Sequence, residues 1–233
     1  MTSATEPRES PPPHREIRSY VLRQGRMSPA QRDALVTLLP RYGLAFAAAP
    51  LDFEGVFARR APRVLEIGCG MGETTAAIAQ ARPEQDYIAI DVHMPGIASL
   101  LRRIDAERLS NVRVIAHDAV EVVATMIPPD SLSRIHVFFP DPWPKKRHHK
   151  RRLLKPAFVA ALAQRLVPGG TLHVATDWED YAHEIVATCG AEPRLVNSAV
   201  DFSPRPDDRP LTKFEARGLK LGHRVWDVIF VRA

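Results

Sequence analysis

Little in this chain supports a covalent or metal-bound framework. Its 233 residues include two cysteines, Cys69 and Cys189, far apart and without the spacing of a disulfide scaffold or a zinc site. His148-His149 has no further ligands at useful spacing, so no metal is expected. No apolar run approaches the roughly 18 residues that span a bilayer. Met1-Thr2-Ser3-Ala4-Thr5-Glu6-Pro7 lacks the apolar stretch of a secretory signal. The expectation is a soluble, cytoplasmic protein with no membrane partner. No internal repeat is present, which sets aside repeat architectures.

What is present is enough chain for one full core: 45% of residues are hydrophobic and 25% charged. Lys and Arg outnumber Asp and Glu by 32 to 27, a net charge of +5 that suits a polyanionic partner. Residues 1–15 mix charge with Pro11-Pro12-Pro13 and carry almost nothing to bury, so a disordered tail is expected. Residues 16–62 read as an arm and a helical lead-in. Arg18 to Arg26 is basic with apolar anchors Tyr20, Val21 and Leu22, and fits either a lid, an RNA-contacting arm or a solvated leader. Ser28-Pro29 predicts a helix start, with Ser28 capping and Pro29 at the first helical position.

A regular alternation occupies 63–233. Strands are expected over 64–67, 87–90, 112–116, 135–139, 171–175 and 225–231. Helices are expected over about 73–81, 95–109, 120–127, 155–167 and 181–189. Phe158, Leu162 and Leu166 recur along one helical face, and Pro168-Gly169-Gly170 is read as the stop of that helix. Short apolar strands alternating with helices imply an α/β fold with a mostly parallel sheet covered on both faces.

Glu66-Ile67-Gly68-Cys69-Gly70-Met71-Gly72 follows the first strand. Gly68 and Gly70 permit a tight turn and close approach to a ligand. A dinucleotide fingerprint needs Gly or Ala at 73, where Glu73 stands, and a carboxylate there repels pyrophosphate. A cationic ligand without phosphate is favoured, and S-adenosylmethionine meets that description. Asp91, ending the second strand, is placed to accept from both ribose hydroxyls. Asp118 follows the third strand, where an acid can accept from the adenine amino group. Glu66 can face the methionyl ammonium. Helix capping is the plainer reading of each acid.

Phe139-Pro140-Asp141-Pro142-Trp143-Pro144 leaves the fourth strand, and six of the next eight residues are Lys or Arg. The prolines forbid helix and ladder pairing, so Asp141 is held stiffly at a strand's carboxyl end, where open α/β sheets bind ligands. The tract Arg147, His148, His149, Lys150, Arg151, Arg152 beside it suits nucleic-acid phosphates.

Together with Ile17–Arg26, Asp91-Val92-His93, Thr176-Asp177-Trp178 and Thr212-Lys213-Phe214-Glu215, these motifs resemble the tRNA (guanine-N7)-methyltransferase family, from about Ile17 to the C-terminus. The resemblance implies a Rossmann-like class I methyltransferase fold of about seven strands. It also implies methyl transfer from S-adenosylmethionine to N7 of guanine 46 in the tRNA variable loop. Carried over by position, Glu66, Asp91, Asp118 and Asp141 would meet the cofactor or reaction centre. Lys145, Asp177, Thr212, Lys213, Phe214 and Glu215 would meet the substrate, and Arg147 to Arg152 the RNA. The family often has Glu where Asp91 stands, which changes the detail of the ribose contact.

Guanine N7 already carries a free lone pair, so alignment and charge are the tasks. Asp141 is expected to stabilise positive charge arriving on the purine. Glu215 is expected to accept from guanine N1–H and N2–H, assisted by Thr212. A methyltransferase for another RNA or a small molecule shares the same cofactor fold, and a non-catalytic RNA-binding scaffold is the other class. The expected partner is tRNA; monomer, homodimer and an added partner subunit are all compatible with the sequence.

Overall fold

Val64, Leu65 and Ile67 are all buried, although successive strand residues face opposite sides of a sheet. Their strand therefore needs a core on each face. The computed structural model of the chain describes residues 18–21, 25–220, 222 and 224–233, and the tail expected over 1–15 lies outside them. Strands β1 (Arg63–Ile67), β2 (Asp86–Asp91), β3 (Val112–Ala116), β4 (Leu132–Phe138), β5 (Leu166–Thr176), β6 (Leu195–Asn197) and β7 (Trp226–Arg232) form one sheet. Its order is β3-β2-β1-β4-β5-β7-β6. β1 to β5 pair in parallel, while β7 runs antiparallel to β5 and β6. This is the Rossmann-like α/β architecture expected. Strand order reverses between β1 and β4, where such sheets open a ligand crevice at their carboxyl ends.

The lead-in comprises α1 (Pro29–Thr37), α2 (Leu39–Tyr42) and α3 (Phe53–Phe57). Ser28 caps α1 as expected, and Gln31 completes a capping box with it. In the sheet region α4 (Glu73–Ala81) and α5 (Met94–Ala106) pack on one face. α6 (Ala119–Thr125), α7 (Pro156–Arg165) and α8 (Glu179–Gly190) pack on the other. β2 shows the division: Ile88 and Ile90 enter the core with α6–α8, Tyr87 and Ala89 that with α4 and α5. Among the described residues no helix is long and apolar enough to cross a membrane.

Two local readings differ from the structure. Pro168-Gly169-Gly170 does not separate helix from strand: α7 ends at Arg165 and β5 already pairs Leu166 with Leu132. Pairing resumes at Thr171 with Arg134, so the Pro-Gly-Gly segment bulges out between two registers of one strand, helped by Gly169 at φ 76°. β6 was not expected, because three residues are too few to show a period.

Beyond α4, the sheet face over β4, β5 and β7 carries Arg134, His136, His173 and Asp227, and is met by the loop preceding α9 (Lys213–Lys220). Arg209 of that loop is buried. Its two Nη groups donate to Glu215 Oε2 and Oε1 at 2.6 and 2.7 Å, and Nη2 also reaches Asp227 Oδ2 at 3.0 Å. His173 Nε2 meets the other Asp227 oxygen at 2.7 Å. Burial alone raises the Asp227 carboxyl, but the hydrogen bonds from His173 and Arg209 outweigh it and hold it below the usual range. Removing the guanidinium takes the side-chain partner from buried Glu215 and leaves buried Asp227 with His173 alone. Arg209→Ala is therefore expected to cost about 3–5 kcal/mol in urea unfolding, and an unchanged midpoint would contradict this role.

Candidate active site

The carboxyl ends of β1 to β4 surround a cavity of about 250 Å³, lined by Gly68, Asp91, Asp118, Phe138 and Asp141 among others. The glycine turn closes its floor. Gly70 and Gly72 both have positive φ, at 54° and 74°. A Cβ on Gly72 would lie 2.5 Å from Leu100 of α5, so glycine there sets how closely α5 approaches the turn. Gly68 lines the cavity itself. Gly70 acts behind it, donating its N–H to Asp91 Oδ2 at 2.8 Å.

Asp91 accepts on its other oxygen from His93 N–H at 2.8 Å, so two backbone donors fix its carboxylate at the cavity wall. Oδ1 keeps a second lone pair for a ligand hydroxyl, while Oδ2 also faces the Cys69 thiol at 4.0 Å. Asp118 is both cavity wall and helix cap: its Oδ1 accepts from Val120 N–H at 2.9 Å. Glu66 is 3% exposed and sits behind the lining. Burial pushes its carboxyl up to about 7, the Thr75 hydroxyl opposes this, and the Asp91 charge adds to it. Cys69, in the same turn, has its thiol pushed well above the usual range by burial and by Asp91 and Glu66.

β4 ends at Phe138, and the Pro-Asp-Pro turn begins in unusual geometry. Phe139 and Trp143 have φ of 51° and 47°, which costs bulky residues about 1–3 kcal/mol each and persists only where neighbours enforce it. Phe139 N–H donates to Ala175 O of β5 at 2.7 Å. Trp143 Nε1 donates to Ser19 O at 3.1 Å, and Arg152 Nε to Pro142 O at 2.9 Å. Between these ties Asp141 stands at the cavity mouth, exposed on one side. Desolvation by the cavity wall and the charge of Asp91 hold its carboxyl above the usual range.

The arm crosses the same mouth. Ser19 and Tyr20 line the cavity, and Arg18 Nη1 donates to the Tyr20 hydroxyl at 2.8 Å. Burial and the Asp118 charge raise the Tyr20 phenol, against Arg18. Of the arm's three readings, the structure favours a cavity wall over a free leader. Ser19 and Tyr20 were missed as site residues, since nothing in their spacing shows what they cover.

The basic tract forms a short 3₁₀ helix over Lys146–Arg151. With three residues per turn its side chains eclipse at i and i+3. Lys146, Arg147 and Lys150 project outward with Lys145 just before them. His148 and Arg151 turn back against the Trp143 ring, with the Arg151 guanidinium 5.1 Å from its centroid. Desolvation and the cations Arg147 and Arg151 hold His148 below its ordinary value, so it adds little charge at neutral pH. His149 approaches Asp180 at 3.9 Å. Arg152 corrects its assignment to RNA: its side chain is 1% exposed and bound to Asp180 and Glu184. Nothing local in the sequence marks this, since the acid pair at i and i+4 that Arg152 faces lies on α8, beyond α7 and β5.

The C-terminal motif is also corrected at one position. Glu215 is 3% exposed and both its oxygens accept from Arg209, so the structure buries it in an ion pair and presents it to no guanine edge. Thr212 caps α9, its hydroxyl accepting from Glu215 N–H at 3.0 Å. The side chains of Lys213 and Phe214 lie outside those described. Asp177 follows β5 directly, and among the described residues its carboxylate has no hydrogen-bond or ion-pair partner; the cap of α8 is Trp178, without a side-chain bond.

A family described as "Putative methyltransferase" matches residues 60–228. The chain is 60% identical to the tRNA (guanine-N(7)-)-methyltransferase of Nitrosospira multiformis over 218 residues, 94% of this chain and 95% of that protein. It is 59% identical to the protein of the same name from Nitrosomonas europaea, covering 94% and 98%. The chain belongs to the tRNA (guanine-N7)-methyltransferase family. Among solved structures, the 16S rRNA methyltransferase KamB superposes with a TM-score of 0.59 at 17% identity, covering 79% of this chain and 94% of that one. That likeness is one of fold.

The donor set fits the methyl donor such enzymes require. Three aspartates and no Lys or Arg appear among the described lining residues, so the cavity suits a cationic, phosphate-free ligand and disfavours a pyrophosphate.

Glu66 gives a pH signature of its own. With its folded value raised to about 7, the native state keeps a proton that the unfolded chain loses near the ordinary glutamate value of about 4.3. The Glu66 contribution to the stability of the ligand-free protein should therefore be most favourable below that value, decline as pH rises toward about 7, and then level off. Thermal melts from pH 5 to 8 are expected to show this slope, flattened in Glu66→Gln. Parallel curves for the two proteins would rule out Glu66 as the source.

Proposed function

We propose that this chain transfers a methyl group from S-adenosylmethionine to N7 of guanine 46 in the variable loop of tRNA. One observation carries the reading: an exposed carboxylate, Asp141, stands at the cavity mouth, and a tract of outward cations begins four residues further on. S-adenosylmethionine supplies an electrophilic methyl on a sulfonium. Asp91 would hold its ribose, Asp118 its adenine amino group and Gly68 its backbone approach, with Glu66, behind the lining, facing the ammonium side through water.

The purine needs no base, because N7 is unprotonated at neutral pH. What the chain adds is placement and charge. Holding two reactants aligned recovers about 7–11 kcal/mol of barrier. Asp141 stabilises the positive charge that N7 acquires, and the low polarity that raises its pKa also strengthens that attraction. Asp177 and Lys145, one beyond β5 and the other just after the Asp141 turn, would orient the base. Lys146, Arg147 and Lys150 would meet phosphates.

Unmodified tRNA incubated with enzyme and cofactor, then treated with borohydride and aniline, should break at the variable-loop guanosine; scission elsewhere would refute the position. Asp141→Asn is expected to lower kcat about 100-fold. It should also abolish an acid limb lying above the ordinary aspartate value of about 3.9, because the rate falls as pH drops through the raised pKa. Wild-type kcat in this variant would remove Asp141 from the chemistry. Arg147→Ala with Lys150→Ala should raise KM for tRNA and flatten its salt dependence by about 0.7 per lost phosphate contact. An unaltered slope would count against the tract.

A further inference from the structure

We infer that Arg152 is a positioning residue for methyl transfer, fixing the turn that carries Asp141 to helix α8 through the carbonyl of Pro142. The inference rests on the reading of Asp141 given above. Pro140, Pro142 and Pro144 have no N–H, so the turn is poor in donors and its shape depends on what grips its carbonyls and its ends. Arg152 Nε donates to Pro142 O at 2.9 Å. The rest of its fork reaches α8 and the basic tract: Nη2 donates to Asp180 Oδ2 at 2.6 Å and meets His149 Nε2 at 3.2 Å, and Nη1 donates to Glu184 Oε2. The guanidinium lies 4.7 Å from the Tyr181 ring centroid.

Asp180 and Glu184 stand one turn apart on α8, and Tyr181, Ile185 and Cys189 of that helix are buried in the core. Glu184 is held in turn by Lys155 Nζ at 2.8 Å. A rigid core helix is thus connected, through one planar side chain, to the carbonyl of the residue that follows Asp141. The side chain has no open path to a phosphate. Lysine does not reproduce the arrangement, since its three N–H radiate from one nitrogen, whereas three separate nitrogens of the planar fork meet the carbonyl and the two carboxylates.

The test compares Arg152→Lys, Asp180→Asn, Asp141→Asn and the Asp141→Asn/Arg152→Lys double variant. Kinetics are read together with hydrogen exchange at the amides of Asp141, Trp143 and Lys145. Arg152→Lys should lower kcat about 10- to 100-fold, the range a misplacement near 1 Å produces, with KM for tRNA and its salt slope unchanged. The turn amides should exchange faster, and the double variant should be no slower than Asp141→Asn alone.

A raised KM with a flattened salt slope would instead make Arg152 a phosphate contact. Wild-type kcat, or multiplicative losses in the double variant, would also overturn the proposal. Should Arg152→Lys lose cooperative melting, Asp180→Asn decides: its carboxylate is 65% exposed, so the fold is kept. A lower kcat with faster turn exchange supports the proposal there, and wild-type values for both refute it. If Asp141→Asn keeps full kcat, the reading of Asp141 fails; if it does not but Arg152→Lys does, only the role of Arg152 fails.

Discussion

The chain has to leave a buried parallel strand and present an exposed carboxylate three residues later, and everything at the cavity mouth follows from that constraint. Phe139 turns into a left-handed conformation that aromatic residues avoid. The prolines that follow prevent any relaxation into helix or ladder. Such a turn is not self-supporting. Its shape is imposed from three sides: β5 through Ala175, the arm through Ser19 and α8 through Arg152. Each of these tethers comes from a different part of the sequence, so the carboxylate's location belongs to the fold as a whole.

The polar face over β4, β5 and β7 answers a second constraint. Antiparallel β7 interrupts the parallel sheet, and beyond α4 a loop instead of a helix meets this part of it. A loop brings backbone and charged groups that an apolar face cannot satisfy. Arg209, Glu215, Asp227 and His173 satisfy one another there, and the Arg209 guanidinium lies about 6 Å from the Phe138 and Phe139 rings at the start of the turn. The far end of the chain is thereby closed against the strand that carries the carboxylate.

The alternation of strands with helices was legible because both faces of the sheet are buried, so each of the long strands carries an apolar run, and helix α4 falls on the residues expected for it. The acids after β1, β2 and β3 were legible because a parallel sheet gathers its carboxyl ends. Burial of charge was not legible. Arg151 and Arg152 are alike in sequence, yet one stacks on an exposed-side indole and the other lies inside; only the acids at 180 and 184 distinguish them, and they come after an intervening helix and strand. Glu215 read as a free acid because its partner, Arg209, sits in a loop without period. Ser19 and Tyr20 were invisible for the same reason, since tertiary contact and not pattern puts them on the cavity.

Cys69 has a chemical consequence that its position in the glycine turn makes specific. Its Sγ lies 4.0 Å from an Asp91 oxygen, beside the pocket proposed for an alkylating cofactor. A thiolate there would be the strongest nucleophile in the neighbourhood. The surrounding acids and the dry packing keep that sulfur protonated, so the enzyme is spared from consuming its own reagent on itself.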